Sequence, residues 1–89
     1  MMEFTTTQMA YCIGRSSHAF SHLRNRSVGF PRPRTEGHAL FWNPILVREW
    51  IVRTPDAMVS TSYKLPPFSL ERYDARVSET LAKQEAATE

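Results

Sequence analysis

The chain has 89 residues, 42% of them apolar, and eleven basic against nine acidic side chains give it a net charge of +2. No apolar run approaches the roughly 18 residues that a membrane-spanning helix requires; the stretch at 45–47, for example, runs straight into Arg48 and Glu49. Cys12 is the only cysteine, which excludes an internal disulfide, argues against a zinc ribbon or a redox pair, and points to a reducing compartment.

Residues 1–14 hold Phe4 and three consecutive threonines without clean alternation, a pattern that reads as an extended arm or one short helical turn. Residues 15–36 contain a candidate turn of helix at 17–23, where Ala19, Phe20 and Leu23 share a face. They then pass into Gly29-Phe30-Pro31-Arg32-Pro33-Arg34, which favours polyproline geometry. Charge is unevenly placed: residues 1–45 carry five Arg against two acids, whereas 46–89 carry six bases against seven acids. The Arg- and Ser-rich front resembles a mitochondrial transit peptide in composition, but Glu3 and the lack of Arg in the first ten residues oppose that reading.

Asn43-Pro44 is the clearest helix start, since Asn caps free amides and Pro at the first helical position loses no hydrogen bond. The helix predicted from there puts Leu46 and Trp50 on one stripe beside Val47 and Ile51, and stops by Thr54 ahead of Pro55. Thr54-Pro55-Asp56 repeats the cap-and-proline signature and predicts one more turn, 59–65 reads as extended, and Pro66-Pro67 ends pairing there. Ser69 caps a longer helix with Glu71 in its first turn, Leu70, Tyr73, Val77 and Leu81 at helical spacing, and a Glu79–Lys83 pair. The expected fold is therefore a mostly irregular, extended chain with two short α-helices, about 44–52 and 70–86, and no independent globular core. It divides into an extended basic arm over 1–36 and a partner-docking segment over 37–89.

No catalytic, cofactor or metal site is expected. There is no Gly-x-Ser-x-Gly elbow and no phosphate-cradling Gly loop. His18 and His22 stand four apart, but no ligand-spacing motif completes them and their neighbours are basic, so they read as solvated or partner-bonded. Arg24, Arg26, Arg32 and Arg34 around Phe30 suit a phosphate backbone or a carboxylate-bearing protein surface, and the low net charge favours acidic protein over nucleic acid. In a chain read as lacking a core, Trp42, Trp50, Tyr63, Phe68 and Tyr73 become interface anchors, with Arg53, Arg72 and Arg76 as charge partners.

One further pattern runs from Gly37-His38 through Trp42, Trp50, Arg53, Thr54, Asp56, Ser60, Tyr63 and Phe68 to Glu71-Arg72-Tyr73-Asp74 and Arg76. Over these forty or so residues the chain resembles the cilia- and flagella-associated protein sixty-eight family, small microtubule inner proteins of axonemal doublets. It departs from the family in the shorter span between Trp42 and Trp50, in the N-terminal forty residues, which show no counterpart, and after Arg76, where vertebrate-like members continue. The resemblance implies a non-enzymatic protein of the doublet lumen, binding α- and β-tubulin and neighbouring inner proteins and bracing the axoneme for ciliary beating. An accessory subunit of a mitochondrial assembly, a ribosome or a respiratory complex, is the alternative that the basic arm suggests.

Overall fold

A computed structural model describes residues 3–54, 56 and 68–87. It holds a short strand β1 (Phe4–Thr5), helices α1 (Thr6–Ile13) and α2 (Ser17–Arg26), strands β2 (Arg34–Glu36) and β3 (Ala39–Trp42), and helices α3 (Pro44–Arg53) and α4 (Leu70–Ala87). The expectation of a mostly irregular chain with two helices and no core is thereby corrected. The helices expected at 44–52 and 70–86 are there, but two more form within residues 1–36, the segment read as an extended arm. The readings of a turn after Thr54 and of an extended 59–65 fall almost wholly outside the described residues.

Local chemistry explains each helix. Thr5 and Gln8 form a reciprocal capping box at α1, Thr5 N–H donating to Gln8 Oε1 at 2.9 Å and Gln8 N–H to Thr5 Oγ1 at 3.2 Å. Gly14 closes α1 in the left-handed region at φ 84°, its N–H returning to Ala10 O at 2.9 Å. Ser16 Oγ accepts from Ala19 N–H at 3.1 Å at the start of α2. At α3, Asn43 Oδ1 accepts from Ile45 and Leu46 N–H at 2.9 and 3.3 Å with Pro44 in the first turn. Ser69 Oγ accepts from Arg72 N–H at 3.2 Å at α4.

The three strands form an antiparallel sheet in the order β1-β3-β2, with Phe4 opposite Trp42 and Arg34 opposite Phe41. Gly37 and His38 make the two-residue turn between β2 and β3. Gly37 has φ 63° and His38 does not have positive φ, the requirement of a type II′ hairpin.

A single core gathers Phe4, Met9, Ala10, Cys12, Ile13, Phe20, Leu23, Trp42, Val47, Trp50, Ile51 and Tyr73, drawn from one strand pair and all four helices. Its centre is aromatic: Phe20 meets Trp42 edge-on at 5.1 Å, and Phe30 meets Trp42 at 5.8 Å and Trp50 at 4.8 Å. The N–H and O–H groups of its large aromatic side chains have partners: Trp42 Nε1–H donates to Thr6 Oγ1 at 3.1 Å, Trp50 Nε1–H to Val28 O at 3.2 Å, and Tyr73 O–H to Pro44 O at 2.7 Å. The radius of gyration, 12.9 Å, lies near the roughly 12 Å of a folded chain of this length and far from the roughly 30 Å of an unfolded one.

Candidate docking surface

The residues expected to grip a partner divide sharply. Trp42, Trp50 and Tyr73 are only 1%, 2% and 1% exposed, so their large side chains are sheltered by this chain's own core, and the anchor reading is corrected for all three. Phe68 packs half-buried against the same core, its ring 6.4 Å from that of Tyr73. Tyr63 lies outside the described residues.

The three arginines also separate. Arg76 is turned inward along the surface, its Nη1 donating to Tyr11 O at 2.8 Å while the guanidinium covers the Tyr11 ring at 4.6 Å. Arg53 and Arg72 are exposed, and among the described residues neither is in an ion pair. Asp74 pairs with a different helix: Arg48 holds it in a two-pronged contact at 2.8 and 3.0 Å, which keeps the carboxyl below its usual pKa. Tyr73, Asp74 and Arg76, three residues of the Glu71–Arg76 motif, thus tie α4 to α3 and α1.

What remains is a basic stretch that starts just before α2 and continues past it. Between Glu3 and Glu36 the chain has five Arg and no carboxylate. Arg34 is neutralised by Glu3 at 2.7 Å and Glu36 at 3.0 Å, and this hydrogen bonding holds Glu3 below its usual pKa. Arg24 lays its guanidinium over the Trp42 ring at 5.3 Å, with Nε buried and without a hydrogen-bond partner. Among the described residues Arg15, Arg26 and Arg32 have no ion-pair partner, and Val28, at 93% exposed, stands among them in sequence.

A second outward feature is the solvent side of α3. The expected pairing of Leu46 with Trp50 on one stripe does not hold: Val47, Trp50 and Ile51 face the core, whereas Ile45, Leu46 and Val52 are 52%, 47% and 53% exposed. Arg48, Glu49, Val52 and Arg53 line a shallow depression of about 280 Å³ there, at the small end for a ligand pocket. Among the described residues no three His, Cys, Asp or Glu side chains are grouped to hold a metal ion, and no helix is long and apolar enough to cross a membrane.

The acid-free basic stretch from Arg15 to Arg34 is legible in the sequence, whereas the full length of α2 within it is not. Sequence inspection also missed the exposed apolar side of α3, because helical spacing alone does not say which of two adjacent stripes faces in. No family model, curated protein or solved structure matches this chain.

Proposed function

We propose that this chain is a non-catalytic structural protein that docks as a folded domain on an acidic protein lattice, and that the lattice is the luminal wall of ciliary doublet microtubules. The observation that carries the docking reading is the acid-free stretch: among the described residues Arg15, Arg26 and Arg32 have no carboxylate partner, whereas Arg34 has two. Guanidinium groups left in that state fit carboxylates on a partner. The choice of lattice rests on the family resemblance over residues 37–76.

The mode of docking differs from the one implied by exposed aromatic anchors. A prefolded domain loses less chain entropy on binding than an extended peptide, so a modest contact suffices. Arg53 and Arg72, with the exposed Ile45, Leu46 and Val52, supply further contact groups, and bracing follows from a rigid body wedged between subunits.

The test is fractionation of ciliated cells. Salt-washed, detergent-extracted axonemes retain the chain if it is sealed in the doublet lumen. Recovery with purified mitochondria instead replaces this reading with an accessory subunit of a mitochondrial assembly. Reversing Arg26 and Arg32 to Glu weakens incorporation at least about tenfold while leaving the isolated fold intact, and unchanged incorporation refutes the role given to the basic surface.

A further inference from the structure

The sequence reads His18 and His22 as solvated or partner-bonded histidines, but their geometry is more specific. Both lie on α2, four residues apart and therefore on one face, and both are exposed. Their Nε2 atoms are 3.1 Å apart, with ring centroids at 4.5 Å and planes at 85°.

We propose that His18 and His22 form a chelating site for one divalent transition-metal ion of the imidazole-preferring class, with Nε2 of each ring as a ligand. An ion bonded to imidazole nitrogen sits roughly 2.05 Å from it, so a 3.1 Å separation subtends about 98° at the ion. That angle falls between the roughly 90° of neighbouring octahedral ligands and the roughly 109° of tetrahedral ones. In the metal-free pair one Nε2 must donate a proton and the other accept it. On chelation the donor ring carries that proton on Nδ1 instead, so both lone pairs are free and neutral rings release no proton. Exposed rings turn readily about the Cβ–Cγ bond to aim both lone pairs at one point.

The two imidazoles supply half or fewer of the ligands, leaving the other positions to water. Affinity follows the order Cu²⁺ above Ni²⁺ above Zn²⁺, as the nitrogen donor set dictates. The surroundings give the site a signature. Arg26 stands four residues after His22 on the same helix, and α2 has no carboxylate. A cation held there is repelled by its neighbours, so screening by added salt strengthens binding; adventitious binding to surface carboxylates weakens under the same change.

The experiment is calorimetric titration of NiCl₂ into the full chain, with His18→Ala, His22→Ala and His38→Ala alongside and far-UV circular dichroism confirming that each variant is folded. Loss of either chelating ring removes the intramolecular advantage of the second ligand, lowering affinity at least about tenfold, whereas His38→Ala leaves it unchanged. In the wild-type chain, proton NMR shows Ni²⁺ broadening the ring signals of His18 and His22 ahead of His38. Ni²⁺ binding by either chelate variant as tight as by the wild-type chain, no binding by the wild-type chain, or affinity that falls as salt is added overturns the proposal.

Discussion

Tyr73 is the side chain whose removal most directly tests whether this chain has a core of its own. It is 1% exposed, belongs to the same core as Val47 and Trp50 with the Phe68 ring 6.4 Å away, and donates its hydroxyl hydrogen to Pro44 O at 2.7 Å, joining α4 to the start of α3. Tyr73→Phe keeps the ring and deletes that bond, costing about 1 kcal/mol and lowering the melting midpoint by roughly 4–8 °C. Tyr73→Ala also empties the ring's volume, for a total of about 3–5 kcal/mol. The total stability of 89 residues is of order 4–13 kcal/mol, so combining Tyr73→Ala with Trp50→Ala consumes most or all of it. Thermal and urea melts followed by tryptophan fluorescence measure the series: Tyr73→Phe melts cooperatively at a lower temperature, and the double variant shows no cooperative transition. If the wild-type chain itself lacks a cooperative melt, or Tyr73→Ala leaves the midpoint unmoved, the aromatic core is not what holds the chain together.

Gly14→Ala places a Cβ 3.5 Å from Arg76 Nη1, an ordinary contact, so its cost is the left-handed backbone at φ 84°: about 1–2 kcal/mol, read as a midpoint at least roughly 4 °C lower. Asp74, held below its usual pKa by hydrogen bonds from Arg48, contributes stability that is complete above the unfolded carboxylate value near 4 and fades as pH falls through the folded one. Asp74→Asn therefore flattens part of the acid limb of a stability-versus-pH curve; Glu3, lowered by Arg34, and Glu79, lowered mainly by the Tyr11 hydroxyl, keep the remainder. On the alkaline side burial raises Tyr73, whose contribution is complete below the free phenol value near 10 and is lost as pH rises through the folded one, so Tyr73→Phe flattens part of that limb; Tyr11, raised by its hydrogen bond to Glu79, and Cys12, raised by burial, keep the remainder. Cys12 is 2% exposed and burial raises its thiol, so Ellman's reagent reacts with it at the rate of unfolding and not at the rate of a free thiol; prompt native-state reaction contradicts its placement.

Caps were the part of this fold most readable from sequence. Asn43-Pro44 and Ser69 announce α3 and α4 because each signal is local: a side-chain acceptor beside the first free amides. The same signal was present for α1 in Thr5-x-x-Gln8, followed by Gly14, but three adjacent β-branched residues pulled the reading toward extended chain. The Gly37-His38 turn also marks a hairpin, though strands of three and four residues are too short for alternation to register. The core itself was hidden because no single element supplies it; Phe20, Phe30, Trp42, Trp50 and Tyr73 converge only when five segments meet. Trp and Tyr are enriched in interfaces and cores alike, and their neighbours decide between the two. For the surface, charge asymmetry was legible at Arg26 and Arg32, whereas the inward turn of Arg76 depends on where Tyr11 lies in space.

The contacts between α1 and α4 set the order in which a ribosome can deliver this molecule. Tyr11 O–H donates to Glu79 Oε2 at 2.9 Å and Cys12 Sγ lies 3.7 Å from Thr80 Oγ1, each across 68 residues of chain, and Gln84 Nε2–H reaches Glu3 O at 3.0 Å across 81. Closure of so long a loop is slow relative to helix growth. During synthesis the side of α1 that meets α4 consequently stays uncovered until α4 clears the exit tunnel, a window in which a chaperone has most to offer.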